Sequence, residues 1–181
     1  MKLKHVPFFL LLFSVFLLCA CTARPNGEVI YNHVLMVEDF DDTSPYDFAG
    51  ICDYVFLGEV TQAQAVIKSA DERSHYKIKV LQNLKGTLCP EVEVEKYGGY
   101  LRDGTLCLLQ SDTNTDMQLL PEERKQYLFM AYAQSDGSLI LTEFYGNIPY
   151  SGEAQLAEYR AYVENQTEFE RERFVSKYDA G

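Results

Sequence analysis

Between residues 50 and 150 the chain alternates apolar and polar side chains in short runs that end at turn residues. In residues 76–80 (YKIKV) and 91–95 (EVEVE) the alternation is strict, which is typical of strands with one buried face. Residues 53–60 (DYVFLGEV) form an apolar run that Gly58 interrupts, and glycine inside a strand often marks a bulge or a sharp bend. The pattern therefore predicts several half-buried strands in this region.

The second half of the region continues the same pattern. Residues 105–109 (TLCLL) predict a short strand, and residues 125–134 (KQYLFMAYAQ) are apolar on both faces, which favours a central position in the sheet. Residues 135–138 (SDGS) predict a tight hairpin turn, with residues 139–145 (LILTEFY) as the returning strand. Short strands with frequent turns predict a mainly β domain at 50–150, built as a sandwich or a small antiparallel barrel.

A helical period replaces the strand period near the C-terminus. Leu156, Tyr159 and Val163 occupy positions i, i+3 and i+7, which predicts a helix with one apolar face. Residues 167–178 (TEFERERFVSKY) predict a second helical stretch whose face is less apolar. We therefore expect residues 151–181 to form a C-terminal helical segment.

The N-terminus has the layout of a secretory signal that ends in a lipobox-like cysteine. Lys2 and Lys4 precede a long apolar run, and small residues lead to Cys21 in the sequence LCAC. The apolar run is shorter than the roughly 20 residues that a retained membrane helix requires. We therefore expect residues 1–20 to be removed as a signal peptide and Cys21 to carry a lipid anchor.

Lipidation of Cys21 predicts where the protein resides. We expect it on the outer face of the bacterial cytoplasmic membrane, or on the outer membrane if the host has one. Residues 21–49 are mixed in polarity, acidic and rich in turn residues, so we expect them to form a tether and lead-in to the folded domain.

The charge balance bears on possible partners. The full chain has 16 lysine and arginine residues against 27 aspartate and glutamate residues, a formal net charge of −11. Removal of Lys2 and Lys4 with the signal peptide changes this charge to −13. Such a protein repels nucleic-acid phosphates and anionic lipid headgroups, so nucleic acid is not an expected partner.

Three cysteines remain after removal of the signal peptide and lipidation of Cys21: Cys52, Cys89 and Cys107. Outside the cytoplasm this odd number allows either one disulfide with one thiol or three thiols. Cys52 precedes an apolar run and Cys107 lies within one, so both are expected in the core.

Several of these segments together resemble a known family. The strand pair YVFLGEV and YKIKVLQNLKG, the strand VEVEKYGG, and the segments LLPEERKQYLFMA and DGSLIL are similar to bacterial relatives of the netrin and tissue-inhibitor-of-metalloproteinases domain. The resemblance covers about residues 50–150 and implies a five-stranded OB-type barrel with a helix packed on it. Animal members carry several disulfides and an N-terminal cysteine that chelates the metal of the protease. Lipidation of Cys21 is incompatible with that role, so protease inhibition is not expected here.

Residues 111–123 (SDTNTDMQLLPEE) have oxygen ligands at positions that match those of a calcium loop. However, Met117 stands where such loops have glycine for a sharp turn, and the flanking segments predict strands rather than helices. We therefore expect a polar loop that binds no calcium. The candidate ligands are Asp112, Asn114, Asp116 and Glu123.

No motif for nucleophilic, phosphate-binding or zinc-dependent chemistry occurs in the sequence, so no catalytic residue, metal or cofactor is predicted. Two classes of function stay open. The first is a non-enzymatic binding or interaction module for an envelope protein or a glycan. The second is an envelope hydrolase with an unrecognised pair of carboxylates.

Aromatic side chains offer the clearest candidates for ligand contact, because the chain has 13 tyrosines and 11 phenylalanines. Four tyrosines lie in or beside glycine-containing loops, where they either contact a ligand or pack at the edge of the core. The candidate ligand-binding residues are Tyr97, Tyr100, Tyr145 and Tyr150.

Overall fold

The computed structural model describes residues 28–33, 40–110 and 120–181. The predicted signal peptide, Cys21 and residues 111–119 of the predicted polar loop lie outside the described residues. No helix among the described residues is long and apolar enough to cross a membrane.

Nine strands and two helices form within the described residues, and the strands predicted from alternation are among them. The strands are β1 (Val29–His33), β2 (Tyr54–Gln64), β3 (Arg73–Lys85), β4 (Glu91–Tyr97), β5 (Gly99–Tyr100), β6 (Leu106–Gln110), β7 (Gln126–Ala133), β8 (Leu139–Leu141) and β9 (Asn147–Pro149). The helices are α1 (Pro45–Ile51) and α2 (Glu153–Glu164).

Five strands close into a barrel. Their order is β2-β3-β4-β8-β7, and β7 pairs again with β2 to complete the ring. β4 and β8 pair in parallel, whereas the other neighbouring strands of the ring are antiparallel. The prediction of a mainly β, OB-like barrel with a C-terminal helix is therefore confirmed.

Inward-facing residues of all five strands fill the barrel. They include Phe56, Ile78, Val94, Phe129 and Leu139, each no more than 1% exposed. The predicted irregularity at Gly58 is also confirmed, since the pairing of β2 with β3 shifts register there. A Cβ atom on Gly58 would lie 2.5 Å from Ile78 Cγ2, so a larger residue would push β3 away from β2.

The two helices cover one outer side of the barrel and form a second apolar cluster with it. The cluster includes Phe48 of α1, Val55 and Leu57 of β2, Leu128 and Met130 of β7, and Leu156 and Tyr159 of α2. The first half of β2 and most of β7 are therefore buried on both faces, which explains the nearly continuous apolar sequence of these segments. The predicted central position of β7 is confirmed.

Helix α1 begins at Pro45, within the segment predicted as a tether and lead-in, so residues 45–49 belong to the folded domain. Ser44 is the N-cap and accepts a hydrogen bond from the Asp47 backbone N–H at 3.3 Å, and a proline occupies the first turn. Phe48 is fully buried against the barrel. A good cap and one large apolar anchor are enough to order a short helix in an acidic segment.

A smaller sheet of order β1-β6-β5 lies beside the barrel. The strand predicted at 105–109 forms as β6, but it pairs in parallel with β1 rather than with a barrel strand. Gly98 turns the chain from β4 into β5 with a φ of +93°, and a Cβ atom there would lie 2.5 Å from the Cys107 carbonyl oxygen. Glycine at this position therefore permits both the turn and the close approach of β6.

The C-terminal helical prediction is correct for α2 and wrong beyond it. Residues 167–178 form no helix, so only the first part of the predicted segment 151–181 is helical. Instead, Phe174 and Tyr178 pack on the interior cluster of the barrel. In the extended conformation both side chains can pack on the barrel interior, and this packing stabilises the segment more than its weak helical preference would.

Backbone hydrogen bonds fix this last segment in place. The Cys89 N–H donates to the Tyr178 carbonyl oxygen at 2.9 Å, and the Ala180 N–H donates to the Thr87 carbonyl oxygen at 2.8 Å. These bonds pair the chain terminus with the connection between β3 and β4. We refer to residues 166–181 as the C-terminal strap.

Candidate ligand-binding face on strands β2, β3 and β4

A β-bulge in β2 reverses which side chains face outward. The pairing of β2 with β3 shifts between Val60 and Gln62, and the Thr61 hydroxyl donates to the Lys77 carbonyl oxygen at 3.1 Å. Val60 lies in the barrel interior, and beyond the bulge Ala63 rather than Gln62 packs on the same core. The bulge thereby turns the glutamine side chains outward, a common use of bulges beside functional sites.

The outward residues of three adjacent strands then form rows of distinct chemistry. β2 contributes amides, β3 contributes basic groups and β4 contributes carboxylates. We call this surface the polar face; it consists of Gln62 and Gln64, of Arg73, His75, Lys77 and Lys79, and of Glu91, Glu93 and Glu95. The row of basic groups on β3 stands out because the chain as a whole is strongly acidic.

Ion pairs between β3 and β4 are mostly loose. Lys77 Nζ lies 3.6 Å from Glu93 Oε1, and the two side chains are 57% and 60% exposed. His75 Nδ1 lies 3.7 Å from Glu95 Oε1, whereas Arg73 makes a closer pair with Glu95 at 2.9 Å. Exposed pairs of this kind contribute at most about 1 kcal/mol, so Lys77 is free to exchange Glu93 for another acceptor.

A groove of about 270 Å³ runs along the seam between β2 and β3 on the polar face. The side-chain amides of Gln62 and Gln64 make no hydrogen bond to any described residue and thus offer unused donors and acceptors. The groove is lined by Gln62, Gln64, His75, Tyr76, Lys77 and Glu93.

Two of the predicted tyrosines lie near one end of the polar face. Tyr97, at the end of β4, is covered by Arg73, whose guanidinium carbon is 4.3 Å from the ring centroid and which also donates to the Tyr97 hydroxyl. Tyr100 lies in β5, where its backbone carbonyl accepts from the Ile67 N–H at 2.8 Å. The face of the Tyr97 ring is thus occupied by a cation from its own chain.

The other two tyrosines lie elsewhere. Tyr145 packs its ring 5.3 Å from Phe48 and donates its hydroxyl to the Thr43 carbonyl oxygen at 2.8 Å. Tyr150 donates to Glu153 Oε1 at 3.2 Å and lines a second cavity of about 280 Å³. The structure therefore does not bring the four predicted tyrosines together, and none of them lines the groove between β2 and β3.

The predicted polar loop has one candidate calcium ligand among the described residues. Glu123 Oε1 accepts a hydrogen bond from the Ala63 backbone N–H at 3.0 Å, so this carboxylate is engaged with β2. The other candidate ligands, Asp112, Asn114 and Asp116, lie outside the described residues. Among the described residues, no group of three or more His, Cys, Asp or Glu side chains is placed to hold a metal ion.

Carboxylate pairs suitable for hydrolysis do not appear in either described cavity. The groove on the polar face is lined by one carboxylate, Glu93, and the second cavity by one, Glu122. Each has a lysine partner, Lys77 at 3.6 Å and Lys125 at 2.8 Å. A single ion-paired carboxylate in an open cavity lacks the second acid or base that glycoside hydrolysis requires.

The three remaining cysteines are free thiols in the structure. Cys52 and Cys107 are fully buried, which confirms the prediction that they pack in the core. Burial raises the pKa of both thiols above the ordinary range, so they stay protonated at neutral pH. Neither is therefore suited to nucleophilic chemistry.

Sequence reasoning missed one buried charged residue. Lys96 follows Val92 and Val94 on the inward side of β4 and is 1% exposed. Its ammonium group donates to the carbonyl oxygens of Thr142 and Glu143 at 3.4 and 3.3 Å. Burial lowers the pKa of Lys96 to about 8, although the Glu143 carboxylate acts in the opposite direction. The sequence signal for this buried lysine is the alternation in VEVEK, which places Lys96 on the same side of the strand as Val92 and Val94.

Comparison with known proteins adds no family to these observations. No protein-family model matches the chain, and no curated protein matches it in sequence.

Proposed function

We propose that this protein is a lipid-anchored extracytoplasmic binding module that uses the polar face to hold a ligand in the cell envelope. The observation that carries the proposal is the bulge at Thr61. It directs the unpaired amides of Gln62 and Gln64 into a groove beside the basic row of β3. OB-type barrels bind extended ligands on the face of their second and third strands, which correspond to β3 and β4 of the polar face, and this supports the choice of surface.

The anchoring part of the proposal is supported by the sequence. A short basic region, an apolar core and small residues before Cys21 are the three features of a lipoprotein signal. Two acyl chains, each contributing about 0.8 kcal/mol per buried methylene, hold a protein stably at a bilayer. The domain then lies at the outer face of the bacterial cytoplasmic membrane, or at the outer membrane in a host that has one.

Binding is favoured over catalysis by the chemistry of the two described cavities. Each contains one carboxylate with a lysine partner, and the buried thiols of Cys52 and Cys107 stay protonated. Side chains that are suited to hydrogen bonding and weak ion pairing select and hold a ligand without altering it.

The anchor is tested with the variant Cys21→Ser in a bacterial host. We expect an unprocessed precursor and loss of fatty-acid labelling, because serine has no sulfur to accept the diacylglycerol. Labelling that persists in the variant would contradict lipidation at Cys21.

The binding face is tested with the double variant Gln62→Ala/Gln64→Ala of the full chain in detergent. Sedimentation with isolated envelope material should show binding weakened about tenfold, since two hydrogen-bonding groups are lost. The control is Lys125→Gln, which changes an exposed side chain outside the polar face. Equal binding by the double variant and the control would exclude the polar face as the binding surface.

A further inference from the structure

We propose that the ligand of the polar face is a glycan whose sugars carry isolated carboxylates, bound along the seam between β2 and β3. This inference rests on the proposed function and specifies the ligand class for the same site. It is supported by the free hydrogen-bond donors along the seam, by the arrangement of charges on the polar face and by features that disfavour other ligands.

The seam offers hydrogen bonds on one side and positive charge on the other. On β2, each of the Gln62 and Gln64 amides provides two N–H donors and one acceptor oxygen. Gln62 stands opposite Lys77 and Gln64 opposite His75, so each amide has a basic neighbour across the seam. Sugar hydroxyls both donate and accept hydrogen bonds, and they match the amides. A carboxylate on the same chain matches Lys77.

Lys77 is the group best placed to meet a ligand carboxylate. Its side chain is 57% exposed, and its distance of 3.6 Å to Glu93 leaves room for a closer partner. By contrast, Arg73 is held by Glu95 and by the ring and hydroxyl of Tyr97. Lys77 is therefore the lysine of the basic row that lines the groove beside the amides, and its ion pair is loose.

Charge also sets a limit on the ligand. The mature chain has a net charge of −13, and Glu91, Glu93 and Glu95 border the basic row directly. A densely charged polyanion meets repulsion from these glutamates and from the whole domain. A carboxylate within about 8 Å of Lys77 is attracted locally, since more distant charges are screened by salt. The fitting ligand therefore carries carboxylates at intervals and hydroxyls between them.

An extended peptide fits the same surface less well. Recognition by strand addition requires free backbone groups at a sheet edge. The Ala63 N–H, however, already donates to Glu123 Oε1 at 3.0 Å, and the Val60 carbonyl accepts from the Arg124 N–H at 2.8 Å. Apart from Tyr76, the groove is lined by amide, basic and acidic side chains, so it offers little apolar surface to select peptide side chains.

The test uses the full chain in detergent and a hyaluronan octasaccharide, in which every second sugar carries a carboxylate. Titration calorimetry should show binding that Lys77→Gln weakens about tenfold, because an ionic hydrogen bond is lost. Gln62→Ala/Gln64→Ala should weaken it to a similar extent. Lys125→Gln, in which the replaced lysine is 58% exposed and also paired with a glutamate, should leave binding unchanged.

Two further probes separate this inference from the proposed function. A chito-oligosaccharide of equal length has no carboxylate and should bind at least tenfold more weakly than hyaluronan. If it binds equally and Gln62→Ala/Gln64→Ala weakens it, the requirement for a carboxylate is overturned while the polar face keeps its binding role. If a glutamate-rich peptide binds more tightly than either glycan and the same double variant weakens that binding, the assignment of a glycan is overturned while the polar face keeps its binding role. Absence of hyaluronan binding overturns the inference. If a ligand binds and no variant of the polar face weakens its binding, the proposed function is overturned as well.

Discussion

The two ends of the barrel differ. The C-terminal strap lies across the end where β2 begins, and a buried lysine lies inside the end where β4 finishes. We call these the strap end and the lysine end. At the strap end, Leu88, Phe174 and Tyr178 continue the apolar interior cluster. At the lysine end, the interior positions are taken by Ser74 and Lys96, which are 0% and 1% exposed.

The strap end is held by ionic and hydrogen-bonded contacts around its apolar centre. Asp53 accepts from Arg171 at 2.6 Å, from Arg173 at 3.0 Å and from the Ala133 N–H at 3.0 Å. The two arginines also donate to backbone carbonyl oxygens at the C-terminal end of α1, where the negative end of the helix dipole favours cations. One carboxylate therefore joins the strap, α1 and β7.

The lysine end has a different balance of forces. The Ser74 hydroxyl donates to the Lys96 carbonyl oxygen at 3.2 Å, and the Lys96 ammonium binds backbone carbonyls of the turn after β8. Burial of an ammonium group costs free energy that such hydrogen bonds only partly offset. The comparison indicates that the strap end stabilises the barrel, whereas the lysine end makes its stability depend on pH.

The largest expected effect is at Asp53. Asp53→Ala leaves two arginines and a backbone N–H without their common acceptor, so the free energy of unfolding should fall by about 4 kcal/mol. Urea unfolding measures the change. The control is Glu122→Ala, which removes an exposed carboxylate paired with one lysine and should cost less than about 0.5 kcal/mol. If the two substitutions lowered the free energy of unfolding equally, the contacts of Asp53 would not be what stabilises the strap end.

The second prediction concerns the pH dependence of the lysine end. Lys96 has a pKa of about 8 in the folded protein against 10.5 when unfolded, so between these values the unfolded chain binds the extra proton. Stability should therefore rise with pH over this window by about 3 kcal/mol, and the gain should be absent below pH 8. Lys96→Met should remove most of this rise in urea unfolding from pH 7 to pH 10, and the part that stays is due to Lys85, whose pKa burial also lowers.

The tyrosines provide a check on the upper limit of that window. Burial raises the pKa of Tyr54 and Tyr76 to about 12, so above pH 10 the folded protein retains protons that the unfolded chain loses. Stability should then decrease with further increase in pH in both the parent and Lys96→Met. A parent protein whose stability does not change between pH 8 and pH 10 would contradict the lowered pKa of Lys96.

A smaller effect is expected from the apolar part of the strap. Phe174→Ala removes a ring that packs on the barrel interior, so the free energy of unfolding should fall by about 2 kcal/mol. Val175→Ala is the matched control, because this neighbouring side chain is 72% exposed and should contribute almost nothing. If both substitutions have the same small effect, the strap does not close the barrel core.

The smallest predicted effect is at the hydrogen bond between Tyr54 and the strap. The Tyr54 hydroxyl donates to Asp179 Oδ2 at 2.7 Å and accepts from the buried Ser176 N–H at 3.0 Å. Tyr54→Phe leaves the Ser176 N–H without this acceptor and should cost about 1.5 kcal/mol. Tyr178→Phe, which loses one exposed 3.5 Å contact to Glu93, should cost far less in the same thermal melting experiment.

The barrel strands were predictable because their signal is local. Alternation in 76–80 and 91–95 corresponds to one face in the apolar interior and one face in solvent, and the structure forms both strands. The double-sided apolar run of 125–134 likewise predicted a strand between two apolar layers, which is where β7 lies. In β3 and β4 the burial pattern repeats every second residue, whereas in β7 the continuous apolar run reflects burial on both faces, and the sequence shows both patterns directly.

The candidate site was less accessible to sequence reasoning. Prediction selected four loop tyrosines, because aromatic residues near glycines resemble ligand contacts. The structure instead forms its groove from glutamines and basic residues that become neighbours only after the bulge at Thr61 changes the register of β2. A one-residue shift reverses every following side chain, and nothing in the stretch TQAQ marks where that shift falls.

By itself the sequence determined the strand pattern and the acidic charge, and it predicts a lipid anchor at Cys21, since each is a property of neighbouring residues. Tertiary contacts determined the conformation of segments with weak local preferences. Residues 45–51 form α1 because Phe48 is buried there, and residues 167–178 form no helix because Phe174 and Tyr178 reach the barrel interior. Contacts between residues more than 80 positions apart supplied the free energy in both segments, and no local pattern in the chain records them.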